Sequence, residues 1–186
     1  MKKLMTLLLL CVSMQVGALE LEGVKLDDNV QVQDAALTLN GAAVRSVAIF
    51  KMYVVGLYLE RKQGSAAAVL ADTHPKRIAL HVLVKDAETE RFLNGFHKGI
   101  EKNHNDAQME ALHERLHAFD QLFAGVREVK RGDVIAFDWV PATGTHVLLN
   151  GKELGSIAGE DFYRALLSVW IGDKPVKDAV KKALLG

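Results

Sequence analysis

Residues 40–60 read NGAAVRSVAIFKMYVVGLYLE, and the rest of the chain is best understood from them. Val44, Val47, Ile49, Phe50, Tyr53, Val54, Val55, Leu57 and Tyr58 give this run the composition of a pleated, mostly buried surface, and no proline interrupts it. Asn40-Gly41 predicts a turn at its start. Arg45 sits inside the apolar run. A guanidinium there is costly unless an anion or a set of acceptors meets it, so its partner is either a structural carboxylate or a ligand. Arg45 and Tyr53 are eight residues apart, and on an unbroken strand they share a face with Val47, Ile49 and Val55. An arginine and a tyrosine hydroxyl on one apolar face suit the carboxylate or phenolate head of a ligand whose remainder lies against hydrocarbon.

The flanks alternate between strand and helix signals. Residues 19–33 mix Val and Leu with acidic side chains, as a short first strand would, and 36–39 lead into the central run. Ser65 caps a short helix over 66–71, and Pro75 ends that connection. RIALHVLV, 77–84, predicts a strand with Ile78, Leu80, Val82 and Val84 on one face and a structural His81 on the other. Helices follow over 88–102, with Phe92, Leu93, Phe96 and Ile100 at helical spacing, and over 105–124, with Leu112, Leu116, Phe119 and Phe123. Asn105 or Asp106 is the expected N-cap of the second. Strands over 134–140, 145–149 and 153–157 are joined by a turn at 141–144 and by Asn150-Gly151, a strong hairpin signal. Two helices, 161–171 and 176–185, close the chain. There is no repeat, linker or low-complexity segment. This order predicts one α+β domain over 19–186: a long antiparallel sheet backed by a layer of helices.

The first 18 residues have the pattern of a secretory signal: Lys2 and Lys3, an apolar core from Leu4 to Val12, and a small-residue site predicting cleavage after Ala18. The core is too short to span a bilayer. Leu10 before Cys11 does not fit a lipid-attachment site. Cleavage would remove the only cysteine, leaving no disulfide, thiol nucleophile or thiolate metal site. It would also take Lys2 and Lys3 from the 23 basic residues, leaving 21 against 23 acidic ones, a net charge of −2. That balance gives no support to nucleic-acid binding. A secreted, periplasmic protein is the expectation.

Residues 113–117, His-Glu-Arg-Leu-His, match H-E-x-x-H, the pattern of zinc hydrolases in which the glutamate acts as general base. On the predicted helix the core face is set by Leu112, Leu116, Phe119 and Phe123, which leaves His113 and His117 on the flank and Glu114 further out. Arg115 adds a positive charge, Asp120 and Phe123 occupy the positions where a third ligand would follow, and Glu128 is succeeded by Lys130 and Arg131. A zinc metallohydrolase is therefore the remote alternative, and a solvated helix flank the preferred one. Arg131-Gly132-Asp133 reads as a turn before a strand. No Gly-rich phosphate loop or serine elbow appears, and no cofactor is implied.

LNGAAVRSVAIFKMYVVGLYLE, PKRIALHVLV, RGDVIAFDWVPATGTHVLLNGKELGSIAG and EDFYRALLSVWIGDKPV together resemble the bacterial chalcone isomerase-like proteins over nearly all of residues 36–176. The most specific pieces are NGxxxR ending at Arg45, YxxGLYL from Tyr53, the GTxVxxNG hairpin and the DF…WIG helix. The resemblance implies a ligand cleft between sheet and helices. In the plant isomerases of this fold that cleft closes a chalcone to a flavanone, and Arg45 matches the arginine that orients the reacting phenolate. Tyr53 stands in place of the catalytic threonine on the next strand. The family's cleft-helix tyrosine falls near Phe92 and its asparagine near Gly99, neither of which supplies a hydrogen-bonding side chain. The Arg-plus-Tyr pair resembles instead the non-catalytic, fatty-acid-binding branch of the fold.

The reading is non-catalytic binding of a small amphipathic anion, such as a fatty acid, through Arg45 and Tyr53. The alternatives are an intramolecular lyase on the same fold and a partner-binding structural protein whose cleft is filled by side chains. In this reading the metal motif plays no part. Purified protein is expected to hold no stoichiometric zinc, and a chelator to leave its melting temperature unchanged. One zinc per chain, lost in His113→Ala, would contradict it.

Overall fold

A computed structural model describes residues 19–186. The signal-sequence expectation for 1–18 lies outside the described residues. In chain order the elements are β1 (Leu19–Leu21), β2 (Val24–Leu26), β3 (Asn29–Val32), β4 (Ala35–Val47), β5 (Phe50–Leu59), α1 (Ala66–Ala71), β6 (Lys76–Val82), β7 (Asp86–Glu88), α2 (Thr89–Glu101), α3 (Asp106–Leu122), β8 (Glu128–Lys130), β9 (Val134–Val140), β10 (Gly144–Leu149), β11 (Lys152–Ile157), α4 (Glu160–Ile171) and α5 (Asp178–Leu185). Seven strands form one antiparallel sheet in the order β11-β10-β9-β6-β5-β4-β3. The pairs β1–β2 and β7–β8 stand apart as two small antiparallel ribbons.

The sheet is apolar on both faces. Val55, Leu57, Ile78, Leu80, Phe137 and Val147 pack against Phe96, Phe119, Phe162 and Trp170 of the helix layer. Leu37, Leu39, Val54, Tyr58, Ala79 and Ala136 form a second core on the other face with Leu26 and Val32. This is why the central run is so continuously hydrophobic: alternate residues serve two different cores. The stretch 19–33, expected as one strand, is three short ones, and its Leu26 and Val32 cover the second face.

Local signals behave as chemistry dictates where the right residues are present. Ser65 caps α1 through the Ala68 amide, and Asn105 forms a reciprocal capping box with Gln108 at the start of α3. Asn150 and Gly151 both take positive φ, the backbone of a tight hairpin turn.

Two features of the central run depart from expectation. The run is not one strand. It folds back at Ala48-Ile49, so that β4 and β5 form a hairpin. And Asn40-Gly41 is not a turn but a bulge within β4, where the pairing shifts register between Leu39 and Gly41. The bulge inverts the alternation of the strand. Leu37 and Leu39 point to the second core, whereas Ala43, also an odd position, points to the helix layer.

The bulge is held from a distance. The buried Asn40 amide donates to the Leu184 carbonyl at 2.7 Å and to the Gln63 carbonyl at 3.0 Å, while its oxygen accepts from the Gln63 amide at 2.7 Å. Gly41 permits the end of α5 to lie against the strand, because a Cβ there would sit 2.2 Å from the Ala183 carbonyl oxygen. Asn40→Ala leaves the Gln63 and Leu184 groups without their partner, and each buried polar group so orphaned costs about 1–3 kcal/mol. Urea unfolding of Asn40→Ala should therefore show a loss of roughly 2–4 kcal/mol. A loss within experimental error of zero would mean that the bulge is not anchored by this side chain.

Candidate ligand-binding cleft

With the alternation inverted at Asn40, Arg45 and Val47 follow Ala43 onto the helix-facing side of β4. A second register shift, between Arg45 and Ser46, leaves Met52 of β5 unpaired, and the Met52 carbonyl accepts from the Leu83 amide at 2.9 Å instead. This second shift lies beside a cavity of about 750 Å³ between the hairpin and α2. Arg45, Val47, Phe50, Met52 and Tyr53 form one wall, and Phe92, Gly95 and Phe96 of α2 form the other. Val169 and Val176 also line it, with Asp86, Glu88 and Arg91 its other charged residues. The lining is mainly apolar with few polar groups, the usual character of a small-molecule site, and the volume is in the usual range. The cleft is not packed solid.

Arg45 and Tyr53 are directly opposite partners across the β4–β5 pair. The sequence expectation that they share a face holds, but for another reason. On one unbroken strand they would lie about 26 Å apart, too far to hold one head group. The hairpin brings them to cross-strand contact distance, about 5 Å between β-carbons.

Arg45 is half-buried, and Nη1 donates to the neighbouring Ser46 carbonyl. Among the described residues no carboxylate lies within ion-pair distance of it. The contrast is Arg77 on β6, whose guanidinium is matched bidentately by Asp138 at 2.5 and 2.6 Å. The structural-carboxylate reading of Arg45 thus has no partner here. The fork keeps donors for an anion in the cleft.

Tyr53 is placed by a residue that the sequence does not single out. Buried Trp170 of α4 donates its indole N–H to the Tyr53 hydroxyl at 3.0 Å. A buried indole needs an acceptor, and that general rule was the only signal for this pair. Because Trp170 occupies the oxygen as a donor, the hydroxyl's own proton remains to be given. Burial pushes the Tyr53 pKa up to about 12, against the smaller opposing effects of the Trp170 hydrogen bond and the Arg45 charge. The phenol is a neutral donor at any physiological pH.

Phe92 lies in the cleft wall, edge-to-face on Phe96 with centroids 4.8 Å apart, and brings no hydroxyl. Gly99 does not reach the cleft: it is buried against α4, where an added Cβ would come within 2.8 Å of Val169. One turn earlier, Gly95 lines the cavity. His113 and His117 are exposed on the flank of α3, and His113 lies 3.3 Å from Glu114. Among the described residues no three His, Cys, Asp or Glu side chains are grouped as metal ligands. Arg115 bridges from α3 to the start of α4 through the Ala158 carbonyl at 3.0 Å and Asp161 at 3.0 Å. Arg131-Gly132-Asp133 is a turn before β9. No described helix is long and apolar enough to cross a membrane.

Comparison with known proteins matches this geometry at the level of fold. A fatty-acid binding protein of Arabidopsis thaliana superimposes with a TM-score of 0.69 over 88% of this chain and 92% of that one, at 16% sequence identity. No curated protein matches by sequence. A family model described as chalcone isomerase-like matches residues 18–186. The chain belongs to the chalcone isomerase-like family.

Proposed function

We propose that this protein binds a small amphipathic anion, such as a fatty acid, without transforming it. The observation that carries the reading is Arg45, cross-strand to Tyr53 in an open apolar cleft, with no protein carboxylate to neutralise it among the described residues. An anionic head group would take the guanidinium fork and the Tyr53 proton, while an alkyl chain lies along Phe50, Met52, Phe92 and Phe96. The fold shared with the plant fatty-acid binding protein supports it. The basic and apolar pattern of residues 1–18 supports export to the periplasm as the place where this happens.

An intramolecular lyase is the second reading, since Arg45 also matches the arginine of the plant isomerases. Ring closure needs donors aimed at the developing oxyanion and at the attacking oxygen, each typically worth a few kcal/mol. Phe92 and the inward-packed Gly99 offer none. Conversion of a hydroxychalcone is expected to be no faster than the uncatalysed reaction. A rapid conversion abolished by Arg45→Ala would establish the lyase.

Calorimetric titration with a C12–C18 fatty-acid series tests the binding reading. Arg45→Ala should weaken binding by about 1.5–3 kcal/mol, the range for a charge-assisted hydrogen bond, and Arg45→Lys should recover little of it. Tyr53→Phe should cost about 0.5–1.5 kcal/mol of binding, and a further 1–3 kcal/mol of folding stability because Trp170 loses its acceptor. Between about pH 7 and 10 affinity should show no loss from the Tyr53 donor, which with a pKa of about 12 remains protonated. If Arg45→Ala instead unfolds the protein and neither form binds a fatty acid, the arginine is structural.

A further inference from the structure

The β4–β5 turn violates the chemistry expected of it. Ala48 takes φ +50°, a conformation that favours glycine or asparagine, and Ile49 beside it is 87% exposed. Val47 and Phe50 on either side are 50% and 65% exposed. These are three of the four large hydrophobic residues exposed anywhere among the described residues. An Asn-Gly turn would relieve both faults, as it does at 150–151. Their concentration at one point of the surface is the pattern of a contact site rather than of scatter. That point adjoins the cleft: Val47 and Phe50 line the cavity with one part of their surface and face solvent with the rest.

We infer that the hairpin tip dips into the interface of a lipid bilayer, setting the cleft against the membrane. Size argues against a protein partner. Three side chains offer on the order of 300 Å², well under the roughly 800 Å² per partner of a stable protein–protein interface. A narrow projecting turn suits a soft surface that closes round it. Charge indicates which lipid. The cleft carries Arg45 and Arg91 against Asp86 and Glu88, and Lys51 beside the tip is paired with Glu22 at 2.6 Å. The charges lining the cleft cancel, and of the nearby cations Lys51 is paired while Lys85 stands exposed between Val84 and Asp86, so contact is assigned to apolar burial on a zwitterionic bilayer and the salt comparison below tests that choice. The use of such docking, passing an acyl chain between bilayer and cleft without crossing water, rests on the ligand reading above. The docking itself does not.

The test is flotation of the ligand-free protein with phosphatidylcholine vesicles, at low and at physiological salt. The native chain is expected to float with the vesicles equally at both. Ile49 does not line the cavity, so Ile49→Asp should cut the vesicle-bound fraction roughly tenfold with fatty-acid affinity unchanged. The double variant Ala48→Gly/Ile49→Ser should melt no lower than the native chain and also fail to float, which separates docking from folding. The inference is overturned if the variants float as the native chain does, or if only anionic vesicles bind and salt releases them. It is likewise overturned if sedimentation shows a dimer that Ile49→Asp dissociates, which would assign the tip to a second copy. Failure of the native chain to float, with Arg45-dependent fatty-acid binding intact by calorimetry, overturns the docking and leaves the ligand reading standing.

Discussion

Asn40 is buried where the sheet meets α5. Its side-chain amide must be satisfied by the Gln63 backbone after β5 and the Leu184 carbonyl near the C-terminus. Those three hydrogen bonds hold one extra residue in β4, and the extra residue reverses which face every later side chain of the strand occupies. Without it, Arg45 would fall on the face of Leu37 and Leu39, where a guanidinium needs a carboxylate such as the one Asp138 gives Arg77. With it, the charge opens onto the cleft. The terminal helix thus takes part in aiming an arginine it never touches.

Once Arg45 is inward, the hairpin determines what it can do. Direct pairing puts Tyr53 beside it, and Trp170 turns the phenol so that an oxygen already accepting one hydrogen bond has its proton to give. The guanidinium is always charged and the phenol always neutral at physiological pH, so the pair forms a permanent donor set. Such a set stabilises an anion in its ground state. That is the interaction the proposed binding of an anion requires.

Much of the fold is legible in the sequence because local chemistry and global structure agree. The Asn150-Gly151 hairpin, the Ser65 and Asn105 caps and the phenylalanine spacing of α2 and α3 all say locally what the structure does. The errors fall where one residue type serves two purposes or where a local rule is broken. Asn-Gly suits a bulge as well as a turn, and what decides between them at Asn40 is a carbonyl 144 residues away. Ala48-Ile49 carries none of the usual turn residues, so composition alone reads the run as continuous, and only the family resemblance, which sets Tyr53 on the strand after that of Arg45, implies the break. Of the site, Arg45 announces itself as a charge in an apolar run. Parity along one strand puts Tyr53 on the right face but at the wrong distance, because the turn at Ala48-Ile49 intervenes. Trp170 could not be singled out from the buried residues of α4, because its role is a contact between distant parts of the chain.

The account stands on one carboxylate being held jointly by Arg45 and Tyr53. Carbon NMR of a bound fatty acid labelled at its carboxyl carbon, followed as pH is lowered, reads that contact directly. A carboxylate on a guanidinium and a phenol should remain ionised well below the usual range near pH 4–5, and its titration should move back toward that range in Arg45→Ala. A bound carboxyl that titrates as the unbound acid does, indifferent to Arg45, would contradict it.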